Sequence, residues 1–147
     1  MKDIVLDSMI ALNLCTPIKP GYNELAVWLR DEGIIRYCNY LYGEYSRCCA
    51  TSPSTTSIIY LIEIQNRKGI AGKISNEQLK AYKFKPKQLR SMKSHLKDHP
   101  ILKTVLLSER KILVSKEQNL IDDLEGFPGA NCVCGTEIDQ INYNAEG

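Results

Sequence analysis

Three short apolar runs, Ile4-Val5-Leu6, Ile34-Ile35-Arg36-Tyr37-Cys38 and Lys111-Ile112-Leu113-Val114-Ser115, are separated by stretches of helical patterning. This alternation constrains the fold more than any other feature of the chain. Each run is rich in Ile, Val and Leu and offers no polar face, which suits a strand buried on both sides. Strands of that kind alternating with helices build a parallel sheet covered by helices on both faces. Asn131 to Cys134 reads as a further short strand. An open sheet of this class places its ligand site at the carboxyl ends of the strands.

The helices between the strands are legible from spacing and punctuation. Ser8 to Leu14 follows the first strand, and Pro17, Pro20 and Gly21 break the chain. Leu25, Ala26, Trp28 and Leu29 form the apolar stripe of a helix over Tyr22 to Glu32, stopped by Gly33. Asn39 is positioned to cap a helix from Tyr40 to Ala50, and Thr51 to Ser54 reads as a loop. Ser57 to Asn66 carries β-branched residues at helical spacing and is expected to be helical. Asn76 is expected to cap a helix over Glu77 to Phe84, Pro86 to open one reaching Leu96, and Asp98 to cap one running through Glu109. Gln118 to Leu124 is a last clear helix before Gly126, Pro128 and Gly129. Thr136 to Asp139 starts like a capping box.

A length of 147 residues fits a single domain with its own core, and 44% hydrophobic with 24% charged residues is ordinary globular composition. No apolar run is long enough to span a membrane. Asp3 and Asp7 interrupt the apolar opening, which is not the pattern of a signal peptide, so a cytoplasmic location is expected. Cys15, Cys38, Cys48, Cys49, Cys132 and Cys134 lack the spacing of zinc knuckles and are expected to serve mostly as small buried hydrophobes. His95 and His99 are four apart, but Asp98 and Pro100 place a helix boundary between them. Gly69-x-x-Gly72-Lys73 falls short of a phosphate-binding loop.

Charge is unevenly distributed. Residues 78–97 contain seven basic side chains, Lys80, Lys83, Lys85, Lys87, Arg90, Lys93 and Lys97, and no acid. The rest of the chain keeps 12 basic against 17 acidic residues, a net of −5. With Tyr82 and Phe84 interleaved, this segment has the phosphate-pairing and base-stacking groups that a single-stranded nucleic acid uses. The competing reading is a solvated helix face.

Four carboxylates fall where the strands end or where helices meet them. Asp7 closes the first strand, Glu44 lies on the helix after the second, Asp98 opens the helix before the third, and Glu117 follows the third. Each also has a plainer reading, as strand terminator, exposed helix charge, N-cap or loop acid. Converging carboxylates repel and raise one another's pKa, and a hard divalent cation relieves that cost. Asp122 and Asp123 read as a solvated helix face, and Tyr37, Tyr40, Tyr42 and Tyr45 as core aromatics around Glu44.

The chain resembles the PIN-like nucleases, small α/β proteins that cleave RNA with Mg²⁺ or Mn²⁺. IVLDSMIAL is similar to their opening strand with its metal-binding aspartate, at Asp7. Glu44 in YGEYSRC is similar to the glutamate of their third helix. DHPILKTVLLSERKILVSKEQNL resembles the stretch in which an aspartate begins a helix and the next strand ends in Thr-x-Asp, here Asp98 and Ser115-x-Glu117. GANCVCGTEID resembles the closing strand and helix. The likeness runs from about residue 3 to 140. Glu117 stands for an aspartate and Ser115 for a threonine, and the basic stretch over 66–97 is longer than in the smallest members.

The resemblance implies a three-layer fold with a short central, mostly parallel sheet. It also implies an endoribonuclease using Mg²⁺ or Mn²⁺ at Asp7, Glu44, Asp98 and Glu117, supported by Ser115. RNA is the implied partner, with an antitoxin, another protein or a second copy of the chain as further possibilities, and a role in toxin–antitoxin pairs, defence or RNA processing. The alternatives are a non-catalytic nucleic-acid-binding or protein-interaction module of the same fold, and a protein-only subunit whose basic segment meets an acidic partner.

Overall fold

The computed structural model describes residues 2–16, 18–49 and 55–145. The break expected at Pro17, the helix end at Ala50 and the loop at Thr51 to Ser54 lie outside them.

The chain runs β1 (Asp3–Leu6), α1 (Ser8–Cys15), α2 (Tyr22–Asp31), β2 (Ile34–Ile35), α3 (Asn39–Cys49), α4 (Ile58–Arg67), α5 (Asn76–Ala81), α6 (Pro86–Ser91), α7 (His99–Leu107), β3 (Ile112–Val114), α8 (Gln118–Glu125) and β4 (Val133–Gly135). Single 3₁₀ turns occupy Leu96–Asp98 and Ile138–Gln140. The alternation read from the sequence is thus realised, and among the described residues the four strands pair entirely in parallel, in the order β2-β1-β3-β4. Val5 sits opposite Leu113 and Leu6 opposite Val114. Ile4, Val5 and Leu6 are all 0% exposed, as a central strand covered on both faces requires.

The strand order has a consequence for function. From β1 the chain crosses to one side to make β2, then back past β1 to make β3 and β4. Right-handed crossovers in opposite directions would lay their helices on opposite faces, and the strand order is compatible with such a three-layer arrangement. Helices α1 to α4 pack on one another, while α7 lies against β1 and α8 against β4. The reversal falls between β1 and β3, and a crevice forms at the carboxyl ends of two strands where such a reversal occurs.

Several local expectations shift. Ser75, not Asn76, caps α5, in a full capping box with Gln78, and α5 ends at Ala81 rather than Phe84. Helix α6 stops at Ser91 instead of Leu96 because Asp123 captures the chain just beyond it: its carboxylate accepts from the Lys93 N–H at 2.8 Å and the Ser94 N–H at 2.9 Å. Asp122 pairs with Lys93 Nζ at 3.1 Å. Asp122 and Asp123 therefore fasten the basic segment to α8 rather than forming a merely solvated face. The expected terminal helix is only the 3₁₀ turn. Of the six cysteines, all free, Cys15, Cys38 and Cys49 are buried and the other three half-buried.

Two buried polar residues finish the sheet. Gln65 of α4 covers the outer edge of β2. Its Oε1 accepts from the Ile35 N–H at 3.0 Å, and its Nε2 donates to the carbonyls of Leu29 and Gly33. Next to it Gly72 runs so close that a Cβ there would lie 2.1 Å from the Ile35 carbonyl oxygen, so this glycine serves strand approach. At the amino end of β1, Asp3 accepts from the N–H groups of Glu109 and Arg110 and from Arg36 Nε. Burial pushes its carboxyl up, but these donors together outweigh burial and hold it below the usual range.

Replacing Gln65 with Leu leaves three buried backbone groups without partners. The unfolding free energy in urea is expected to fall by about 2–4 kcal/mol. A loss under about 0.5 kcal/mol, the range of an ordinary surface change, would mean that the edge of β2 does not depend on this amide.

Candidate active site at the carboxyl ends of β1 and β3

The residue that ends β1 is Asp7, and the one that ends β3 is Ser115. The Asp7 N–H continues the sheet by donating to the Val114 carbonyl at 3.0 Å, which fixes both residues side by side. The Ser115 hydroxyl then donates to Asp7 Oδ2 at 2.6 Å. The other carboxylate oxygen accepts from the Ser8 N–H at 2.8 Å and caps α1. Asp7 is 6% exposed and Ser115 is fully buried. The Ser115 oxygen also accepts from the Glu117 N–H at 3.0 Å, shaping the turn into α8.

The remaining acids arrive from α3 and the start of α7. Tyr40 and Glu44 are four apart on α3 and share a face. The Tyr40 hydroxyl donates to Asp98 Oδ1 at 3.2 Å, and Glu44 is a second acceptor within its reach. Burial, followed by these hydrogen bonds and carboxylate charges, pushes the Tyr40 phenol well up. Asp98 does not play the capping role expected of it: its backbone is already helical, its side chain makes no cap hydrogen bond, and its carboxylate turns to Tyr40. Glu44 is partly covered and pairs with Arg47 Nη2 at 2.7 Å. Tyr45, next to Glu44 on α3, is completely buried and its hydroxyl donates to the Leu6 carbonyl at 2.5 Å, fastening α3 to the residue before Asp7.

Glu44 and Asp98 lie near enough to Asp7 for their charges to act on its carboxyl. The Asp7 carboxyl is raised above its ordinary value, chiefly by burial. Hydrogen bonds from Ser115 and Ser8 offset part of the rise, and the charges of Asp98 and Glu44 add to it. Glu117 is exposed at the N-cap position of α8 and is not among the charges that raise Asp7. Among the described residues no three His, Cys, Asp or Glu side chains close on one point as a ready-made metal cage. The donor set fits a hard ion of the Mg²⁺ type, which takes one or two carboxylates and keeps several waters.

The basic segment is fastened to α7 through Leu79 and Phe84 and to α8 through Asp122 and Asp123. Only Lys93 of its seven cations enters an ion pair among the described residues. Tyr82 and Phe84 do not stand out as free stacking faces. They are partly buried against the core, with Phe84 edge-on to Tyr82, His99 and Phe127. Tyr37 and Tyr45 are buried, as expected of core aromatics, whereas Tyr42 is exposed.

Two participants escaped the sequence reading. Tyr40 links two of the acids, and its i, i+4 spacing to Glu44 was the available signal. Phe127, from the turn after α8, reaches the basic segment only through tertiary structure. Compared with known proteins, the chain matches no family model, no curated protein and no solved structure.

A raised carboxyl is a stability statement with a definite sign. An acid whose folded pKa exceeds its unfolded one favours folding below the unfolded pKa, and that contribution is lost as pH rises through the folded pKa. At neutral pH without divalent ions, Asp7→Asn is therefore expected to unfold at a higher temperature than the wild type. The gap should close as pH falls below the ordinary carboxyl range. Thermal unfolding across that range measures it. A variant less stable than the wild type at neutral pH would show that the charge on Asp7 carries no cost.

Proposed function

We propose that this protein is a metal-dependent endoribonuclease of the PIN-like type. The observation that carries the reading is Asp7, buried at the carboxyl end of β1 beside Ser115 of β3, with its carboxyl raised chiefly by burial and further by the charges of Asp98 and Glu44 from two other elements. Concentrating like charges at a strand reversal costs stability, and a site that binds a cation is the economical reason to keep them. Asp7 and Asp98 are the residues assigned to hold Mg²⁺ or Mn²⁺, with Glu44 beside them and Glu117 at the rim. Such an ion, when bound, lowers the pKa of water and stabilises the oxygen leaving a phosphodiester.

The rest of the assignment concerns the chain's own groups. Ser115 orients the Asp7 carboxylate and spends its proton on the oxygen Oδ2, while the Ser8 N–H holds Oδ1. Tyr40 holds the Asp98 carboxylate through its hydroxyl. Lys80, Lys83, Lys85, Lys87, Arg90 and Lys97 supply positive charge unclaimed by any ion pair among the described residues, as attraction of a phosphate backbone requires.

A non-catalytic nucleic-acid-binding module is the second reading. The exposed position of Glu117 and the absence of a three-ligand cage among the described residues favour it.

The two readings separate on cleavage. Asp7→Asn and Asp98→Asn should each lower Mg²⁺-dependent cleavage of a structured RNA by at least about a hundredfold while circular dichroism stays native. Wild-type rates in both variants would remove the assignment. Binding is tested apart from cleavage, with Ca²⁺ in place of Mg²⁺. Changing Lys83, Lys87 and Arg90 together to Ala should weaken RNA binding, and each lost phosphate contact should reduce the log–log salt slope by roughly 0.7. An unchanged slope would return the segment to a solvated or protein-binding face.

A further inference from the structure

The described residues also form a concavity away from the acidic crevice. It is a groove of about 590 Å³ between α6 with the chain following it and the turn at 126–128 after α8. Its walls differ in character. Met92, Phe127 and Pro128 give it an apolar side, and Lys85, Lys87 and Lys93 bring cations to it. Two acids also line it, but both are committed internally. Asp123 accepts from the N–H groups of Lys93 and Ser94, and Asp122 pairs with Lys93 and accepts from Gln118 Nε2 at 2.8 Å. Lys85 and Lys87 are exposed cations that enter no ion pair among the described residues.

The groove is built rather than incidental. The two hydrogen bonds to Asp123 set the path of the basic segment across α8, and so set the groove's width. Phe127 is held from behind by Phe84, with ring centroids 6.0 Å apart at 61°. Phe84 in turn meets His99, the neighbour of Asp98, at 5.6 Å. Two ring contacts thus join the apolar wall of the groove to the residue beside the acidic crevice.

We propose that this groove seats one unstacked nucleotide of a single-stranded RNA, the base against Phe127 and Met92 and the flanking phosphates beside Lys85 and Lys87. The volume lies within the range of small-ligand sites. An aromatic wall rimmed by cations is the combination on which sequence-tolerant recognition of single strands rests. A base pair presents no free face to such a wall, so the substrate class is single-stranded rather than duplex RNA. An acidic peptide would satisfy the lysines and leave the aromatic wall unused. The inference rests on the nuclease reading for its choice of RNA, and it places the strand's anchor outside the carboxylates.

The test uses the full chain in Ca²⁺, with a short labelled oligouridine, the corresponding RNA duplex and polyglutamate as competitors. Oligouridine should bind more tightly than the duplex, and polyglutamate should compete poorly. Phe127→Ala should weaken oligouridine binding roughly tenfold or more and leave its salt slope unchanged. Phe127→Leu, which preserves apolar packing, should lose affinity in the same direction and decides the matter if the alanine variant fails to fold. Lys85→Gln with Lys87→Gln should reduce the slope by about 1.4. Wild-type affinity in Phe127→Leu, or a duplex or polyglutamate bound as tightly as the single strand, would overturn the proposal. Cleavage in Mg²⁺ separates this failure from that of the nuclease reading. Groove-dependent binding without cleavage leaves the groove and removes the nuclease. Cleavage with an unchanged KM in Phe127→Leu does the reverse.

Discussion

The hydrogen bond from Ser115 to Asp7 joins the two strands between which the chain reverses direction. It exists because β1 and β3 are paired in parallel and in a register that leaves Asp7 and Ser115 adjacent where the sheet ends. The same pairing places the α1 N-terminus and the turn into α8 at one edge, to which Tyr45 ties α3. A one-residue slip would turn each of these side chains to the other face of the sheet. Asp3 and Asp7 flank the buried Ile4, Val5 and Leu6, and a slip would draw one of these carboxylates away from its donors toward the apolar centre of the sheet.

The two aspartates of β1 show what distinguishes a structural acid from a candidate functional one. Asp3 opens the four-residue strand, Asp7 directly follows its last residue, and both are buried. Asp3 receives two backbone N–H groups and a guanidinium, and is held low despite its burial. Asp7 receives one hydroxyl and one N–H, lies near two further carboxylates, and is held high. Complete satisfaction serves the fold. Incomplete satisfaction at a strand reversal leaves a site with a deficit of positive charge, and that deficit is the physical basis of the functional proposal.

Much of this was legible in the sequence because it depends on local pattern. The apolar runs at 4–6, 34–38 and 111–115 located the strands, though the second is a strand only over Ile34–Ile35 with an isolated bridge at Tyr37, and their two-sided apolar character pointed to parallel pairing. Helix α2 followed from its stripe and its stop at Gly33, and α4 from helical spacing that prevailed over β-branched content. The misplaced ends share one cause: the deciding partner lay far along the chain. Asp123 stops α6 thirty residues away, and Tyr40 draws Asp98 off its cap from fifty-eight residues away. Gln65, which completes the edge of β2, and Phe127, which walls the groove, carried no local signal. The acids themselves were found by position. Their electrostatic coupling needed the fold, and Glu117 stands outside the coupled trio.

The central claim is that the carboxylates at this edge form a cation site. Its most direct test is the thermal unfolding midpoint of the wild-type chain as Mg²⁺ or Mn²⁺ is raised at constant ionic strength and neutral pH. A ligand that binds only the folded state stabilises it by RT ln(1 + [L]/Kd), so the midpoint should rise progressively with the logarithm of ion concentration above Kd, and Asp7→Asn should flatten the rise. A wild-type midpoint that does not respond to either ion, or one that responds equally in the variant, would contradict the account.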